Sequence, residues 1–129
     1  MSRILRIVVL MSMLVAAGAA LAMERPTIDS PNSGAALGPN YKVAGSMPYR
    51  AFLVVVTDCI RTDTGEVIGS VPGIRHWTNN DGRFSFRCAS PRVSTGEVGL
   101  RLAYRMRCFE IKSNGQRGPE AVMEYGMAR

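Results

Sequence analysis

Large apolar residues occupy nearly every second position in two stretches of the chain, residues 83–88 and 98–108. A period of two places such side chains on one face of a β-strand and the intervening residues on the other. Arginines fill many of the intervening positions. The pattern therefore predicts two half-buried strands, whose apolar faces need cover from other strands. The apolar positions are Phe84, Phe86, Leu100, Leu102, Tyr104 and Met106.

Residues 51–59 form the most hydrophobic stretch after the N-terminal segment, and they are apolar at both parities and rich in valine. Such a segment is typical of a central strand covered on both faces. Shorter segments predict further strands at residues 26–31, 41–45, 66–71, 74–78 and 121–127. With no helical periodicity after residue 22, the chain is predicted to be an all-β antiparallel sandwich of about seven strands.

Turn signals separate these strands: Asn32-Ser33-Gly34, Asp63-Thr64-Gly65, Asn80-Asp81-Gly82 and Asn114-Gly115. The third lies between residues 74–78 and 84–88, which predicts a β-hairpin joining those two strands. Asn79, Asn80 and Asp81 suit the positive φ angles that such a turn requires.

The N-terminus has the pattern of a secretory signal. Arg3 and Arg6 precede an uncharged apolar run over residues 7–20, and Ala20-Leu21-Ala22 matches the small-x-small sequence that signal peptidases cleave. The run is short for the ~20 residues of a permanent membrane anchor. We therefore predict a signal peptide over residues 1–22 and one domain over residues 23–129. The product is expected in the periplasm or outside the cell.

Charge and cysteine content extend this picture. Loss of Arg3 and Arg6 takes the basic count from 16 to 14 against 10 acidic residues, a net charge of about +4. A basic excess favours anionic partners, although it also simply keeps proteins soluble. All three cysteines lie in the exported part. An oxidising compartment then allows one disulfide with one cysteine left over.

The order of these segments resembles bacterial immunoglobulin-like (fibronectin III-like) domains of exported and surface proteins. The resemblance is carried by Pro26-Thr27-Ile28-Asp29-Ser30-Pro31, Val43-Ala44-Gly45, Val54-Val55-Val56-Thr57-Asp58 and Asn80-Asp81-Gly82-Arg83-Phe84-Ser85-Phe86. The last segment is also similar to the regulatory β-sandwich attached to carboxypeptidases. Members of these families share no catalytic residues, so the resemblance implies a module that is not an enzyme and needs no cofactor.

The immunoglobulin-like topology also implies a cysteine pairing. In that topology the strands of Cys59 and Cys88 run in the same direction, and both residues lie near strand ends. The strand of Cys108 runs the opposite way, which is expected to place Cys108 at the far end of the sandwich. Because a disulfide needs Cα atoms within ~7 Å, the resemblance implies a Cys59–Cys88 bond, with Cys108 free or bridging to another molecule.

Two sets of arginines are candidates for binding. Arg83 and Arg87 share the outward parity of one strand, and Arg101, Arg105 and Arg107 share that of another. Together they would form a basic face for an anionic polymer, unless the two strands belong to opposite sheets. Stacking aromatics are absent from that parity, so no nucleic-acid partner is expected.

Aromatic residues give a second candidate site. Trp77 is the main one, and Tyr41, Tyr49 and Tyr125 either line a carbohydrate or peptide site with it or pack in the core. Trp77 also lies in the predicted hairpin, which an accessory or inhibitory subunit of a secreted enzyme would use for contact.

Residues for catalysis or metal binding are sparse. His76 is the only histidine and has no evident serine or cysteine partner set, so a surface imidazole is favoured over a general base. The cysteine spacing does not match a zinc site. Asp58, Asp63 and Glu66 lie near one turn and offer oxygens to calcium, which turn acids seldom bind. No metal is therefore expected.

The sequence thus predicts an exported, non-catalytic binding or structural module of the envelope or extracellular space. Its expected partner is another envelope or secreted protein, met through loops or an exposed strand edge. The alternatives are the enzyme subunit described above and a binder of anionic polysaccharide through the arginines. A small hydrolase would need the nucleophile and base that the chain lacks.

Overall fold

The computed structural model describes residues 22–92 and 101–127, which form nine β-strands and contain no helix. The all-β prediction is thus confirmed, with two more strands than the seven or so expected. Residues 1–21 of the predicted signal peptide lie outside the described part. Within that part, no helix has the length and hydrophobicity to cross a membrane. The strands are β1 (Thr27–Ser30), β2 (Ala36–Leu37), β3 (Asn40–Ser46), β4 (Phe52–Arg61), β5 (Val67–Ser70), β6 (Ile74–Trp77), β7 (Arg83–Ala89), β8 (Leu102–Glu110) and β9 (Ala121–Met127).

The strands form two sheets. The smaller sheet has the order β1-β3-β7 and is antiparallel throughout. The larger has the order β2-β9-β8-β4-β5, and β6 pairs with β4 along the same edge as β5. Its pairs are antiparallel except that the short β2 runs parallel to β9. β4 is therefore an interior strand, paired along both edges and buried at both parities over most of its length, as its apolar sequence predicted.

One hydrophobic core lies between the two sheets. Val43 and Phe86 enter it from the smaller sheet, and Leu53, Met106 and Tyr125 enter it from the larger. Burial alternates strictly along β7, in agreement with the predicted period of two. The same alternation points the intervening residues of each sheet outward, where they form two outer faces.

The predicted turns are confirmed, and each uses its glycine. Gly34, Gly65, Gly82 and Gly115 all have positive φ, whereas no other kind of residue in the described part does. The positive φ predicted at Asn79, Asn80 and Asp81 is therefore wrong. Glycine takes that conformation without steric cost. At Gly82 an added Cβ would also lie 2.0 Å from the carbonyl oxygen of Met47.

The predicted hairpin between residues 74–78 and 84–88 is wrong. β6 pairs with β4, so that Trp77 lies opposite Phe52, and β7 pairs with β3, so that Phe84 lies opposite Gly45. The turn at Gly82 carries the chain from one sheet to the other. β6 pairs along the edge of β4 that β8 leaves free. The Phe84 side chain reaches the core from the opposite sheet.

Candidate binding groove

On the outer face of the larger sheet, the strand register places outward residues of neighbouring strands opposite each other in rows. Trp77 lies opposite Phe52 at one end of this face. The next outward pairs on β4 and β8 are Val54 with Phe109, then Val56 with Arg107, then Asp58 with Arg105. Arg75 of β6 also lies opposite Val54. The face thus passes from aromatic and aliphatic residues at one end to charged residues at the other.

A groove of about 660 Å³ opens at the aromatic end of this face. We call it the Trp77 groove. β6 and β4 supply its aromatic side, and the segment after β8 supplies the facing side. The residues that matter for recognition are Arg50, Phe52, Arg75, Trp77, Ile111 and Lys112.

Trp77 is held in a fixed position although it is 49% exposed. The guanidinium carbon of Arg50 lies 4.2 Å from the centroid of its ring. The Phe52 ring centroid lies 5.2 Å from that of Trp77, at a tilted angle. Both are favourable contacts for an indole, through cation–π attraction and aromatic packing. The groove therefore presents an ordered, half-exposed tryptophan.

The groove has an excess of positive charge, with three cations and one acid among its lining residues. Arg50, Arg75 and Lys112 form no ion pair within the described residues. Glu110 also lines the groove, but it is buried and accepts a 2.5 Å hydrogen bond from the Tyr49 hydroxyl. Burial, together with this hydrogen bond, raises the pKa of Tyr49, so the phenol keeps its proton and donates it. The arrangement suits an anionic ligand with an apolar part.

The charged end of the same face is a closed network around Asp58. Asp58 is 2% exposed. Its carboxylate lies 3.2 Å from Arg107 and 3.8 Å from Arg105, and it accepts a 2.6 Å hydrogen bond from the Ser70 hydroxyl. Arg107 also lies 3.6 Å from Glu120. A buried charge needs such partners, so Arg105 and Arg107 serve first to neutralise Asp58.

The structure does not bring the five predicted binding arginines together. Arg105 and Arg107 lie on the larger sheet, whereas Arg83 and Arg87 point outward from β7 in the smaller sheet. Arg101 is exposed just before β8, where its carbonyl accepts a hydrogen bond from Thr62. The sequence left open whether the two arginine-bearing strands belong to opposite sheets, and in the structure they do.

The candidates for catalysis and metal binding, His76 and Asp63 among them, contact neighbouring residues. The His76 ring lies 5.3 Å from that of Phe86, and its Nδ1 is 2.8 Å from the carbonyl oxygen of Trp77. Asp63 pairs with Arg61 at 2.8 Å, apart from the Asp58 network. No group of three or more metal-ligating side chains occurs in residues 22–92 and 101–127.

The remaining tyrosines lie in the core. Tyr41 forms a hydrogen bond with Thr57, and the Tyr125 hydroxyl donates a 2.9 Å hydrogen bond to the Pro31 carbonyl. Neither tyrosine lines the Trp77 groove. Of the four aromatic residues proposed together, only Trp77 thus lines the groove, and Tyr49 donates a hydrogen bond to Glu110, which also lines it.

Cys59, Cys88 and Cys108 are buried free thiols in the structure. Cys108 lies opposite Val55 within β4, and not at the far end of the sheet as expected. It is close enough to Cys88 for the charge of that thiolate, after burial as the larger cause, to raise the pKa of Cys108 to about 12. The Cys59–Cys88 disulfide stays a prediction.

Sequence reasoning missed Arg50, Arg75 and Lys112. A signal for Arg75 was present, because it shares the parity of Trp77 two residues further along. Arg50 and Lys112 lie outside the strands, where no periodicity indicates the direction of a side chain.

Comparison of the chain with models of protein families, with curated protein sequences and with solved structures found no match. Function is therefore inferred from the groove itself.

Proposed function

We propose that this chain is an exported, non-catalytic module with an immunoglobulin-like β-sandwich fold, and that it binds another envelope or secreted protein at the Trp77 groove. The observation that carries the proposal is an ordered, half-exposed Trp77 beside three cations that have no acidic partner in the described residues. Buried anchors in protein interfaces are enriched in tryptophan and arginine.

The strand order supports the immunoglobulin-like part of the proposal. A sheet of order β1-β3-β7 facing a sheet that contains β9-β8-β4 corresponds to the A-B-E and G-F-C strands of that fold. The outward pairing of β5 and β6 with β4 extends the second sheet. Export rests on the pattern of residues 1–22.

The geometry of Trp77 favours a protein partner over a sugar. Arg50 lies over its ring and Phe52 packs against it at a tilt, so less of the ring surface is open for stacking against a sugar. The indole edge and the unpaired guanidinium groups remain available to apolar and acidic side chains. We therefore expect the partner to present an acidic, partly apolar surface.

Site-specific photo-crosslinking in the native envelope tests the proposal. A photoreactive amino acid at Lys112 is expected to capture one predominant protein, and the capture is expected to disappear in Trp77→Ala and Arg50→Ala backgrounds. The same group at Ser85, on the outer face of the smaller sheet, is the matched control. Identical products at the two positions, or products unchanged by Trp77→Ala, would refute the groove as the binding site. A secreted enzyme as the captured protein would indicate an accessory or inhibitory subunit.

A second candidate function uses the smaller sheet. Lys42 and Arg87 lie directly opposite each other on β3 and β7, and like charges in that position destabilise a sheet. Nearby Arg83 has only a weak 3.8 Å contact with exposed Asp81. An anionic polysaccharide would relieve the repulsion. Retention on heparin at about 0.1 M salt that decreases in Lys42→Ala/Arg87→Ala would support this role, and no retention of the unmutated protein would exclude it.

A further inference from the structure

A second cavity, of about 320 Å³, lies beside the Trp77 groove on the same outer face. Its apolar lining residues are Val54, Val56, Pro72 and Phe109. The chain approaches this floor closely at Gly73, where an added Cβ would lie 3.1 Å from Val54 and 3.2 Å from Val56. We call this cavity the arginine pocket, because Arg75, Arg107 and Arg117 line it from three segments of the chain.

We propose that the arginine pocket binds an oxyanion, that is, a phosphate, sulfate or carboxylate group. The three arginines give it a concentrated positive charge, and no acidic residue among those that the structure describes lines it. Planar guanidinium groups match such anions through paired hydrogen bonds. The proposal does not require the Trp77 groove to bind a protein, since only Arg75 lines both cavities.

Two of the three arginines have their charge free for a ligand. Arg75 and Arg117 form no ion pair with a carboxylate in the described residues. Arg107 does, but with Asp58 and Glu120, neither of which lines the cavity. The positive charge of the pocket therefore exceeds what the surrounding acids neutralise.

Two of the three arginines are also held in place before any ligand binds. The guanidinium carbon of Arg117 lies 4.7 Å from the ring centroid of Phe109, which is itself 1% exposed. Arg107 is fixed by its two carboxylates. Donors that are already ordered lose less conformational entropy on binding, and an apolar floor strengthens their attraction for an anion.

Unmet hydrogen-bonding capacity points in the same direction. The Nε atom of Arg107 is shielded from solvent and has no acceptor, and the same is true of the Nε atom of neighbouring Arg105. Buried donors are normally paired. The charged part of this face thus has more hydrogen-bond donors than acceptors, in keeping with its excess of positive charge.

Titration of the purified protein with sodium sulfate, sodium phosphate or sodium acetate at matched ionic strength, with chloride as the balancing anion, tests the inference. NMR signals of the arginine Nε–H groups are expected to shift saturably with at least one of these salts. The Arg75→Gln/Arg117→Gln variant leaves the Asp58 network intact and is expected to weaken that binding about tenfold or more.

The matched control is Arg92→Gln/Arg101→Gln, which removes the same charge from exposed positions that do not line the pocket. Its affinity is expected to stay within about a factor of two of the unmutated protein. Saturation by sulfate and phosphate alone would identify a site for tetrahedral anions, and saturation by acetate would identify a carboxylate site. Shifts that follow ionic strength without saturating, or equal weakening in both double variants, would overturn the inference. Neither result would bear on photo-crosslinking at Lys112.

Discussion

The two ends of one sheet face use arginine in opposite ways. At the Asp58 end, Arg105 and Arg107 lie against a buried carboxylate. At the Trp77 end, Arg50 and Arg75 face a groove and have no carboxylate partner in the described residues. Glu110, the buried acid at the Trp77 end, accepts its hydrogen bond from the Tyr49 hydroxyl and forms no ion pair in the described residues, whereas Asp58 draws two guanidinium groups against it.

The largest expected effect comes from removing that acid. Asp58→Ala removes the carboxylate beside Arg105 and leaves Arg107 only its 3.6 Å contact with Glu120, and we expect it to lower the free energy of unfolding by about 3 kcal/mol. Asp63→Ala removes an exposed partner of Arg61 and is expected to have no measurable effect. Urea denaturation of both variants measures this. Equal stabilities would mean that the Asp58 network is not structural.

The inner side of β8 extends the comparison. Cys108, the residue after Arg107, is uncharged and lies on that side. Burial raises the pKa of Cys88 to about 11 and that of Cys108 to about 12, from ordinary values near 9. The thiol form is thus favoured by folding. Its contribution is complete below about pH 9 and is lost as the pH rises from about 9 to about 12, because the unfolded thiols ionise first.

We therefore expect the stability of the reduced protein to fall steadily as the pH rises over that range, through the two thiols. Burial also raises the pKa of Tyr125, to about 12, which adds a decline of its own. The control is Cys88→Ala/Cys108→Ala, in which the tyrosine part remains and the thiol part disappears. Denaturation at several pH values gives the change of stability with pH for the unmutated protein and for the double variant. The same change in both proteins would contradict the buried, protonated state of the thiols.

A matched pair of arginine substitutions tests the comparison directly. Arg107→Gln takes one of two cations from Asp58 and is expected to cost about 1 kcal/mol. Arg75→Gln removes a charge with no acidic partner in the described residues, and its effect on stability is expected to stay within about 0.5 kcal/mol. Thermal denaturation of the two variants measures the difference. A larger loss in Arg75→Gln would break the distinction between the two ends.

A small stability effect is also expected next to Trp77, which is the only tryptophan of the chain. Arg50→Ala removes the cation from its ring and is expected to cost about 0.5 kcal/mol. Acrylamide should then quench the tryptophan fluorescence more efficiently, because one ring face becomes open. Arg117→Ala, whose guanidinium lies over Phe109 instead, should leave the quenching unchanged.

Prediction from sequence succeeded where local periodicity decides the outcome. The alternation along β7 and β8 and the valine run of β4 identified strands and their buried faces correctly. Prediction from sequence failed at the pairing partners of β6 and β7. A turn signal such as Asn80-Asp81-Gly82 indicates that the chain reverses, but it does not say whether the next strand joins the same sheet.

The candidate site was less predictable than the fold. Trp77 was identified, but Arg50 and Lys112 come from other segments and meet it only after β4 and β6 have paired. The predicted binding arginines included Arg105 and Arg107, which lie over Asp58. Nothing in the local pattern distinguishes an arginine that neutralises a buried acid from one that awaits a ligand.

By itself, the sequence determined where the longer strands lie, which side of them is apolar and where glycine makes a turn. These properties depend on the period of two and on single-residue backbone preferences, both of which act over a few neighbouring residues. Only the tertiary structure decided how the strands divide between two sheets, and so which cations meet a carboxylate and which line a cavity. That outcome depends on contacts between residues distant in the chain, because a charge is neutralised by whatever lies beside it in space.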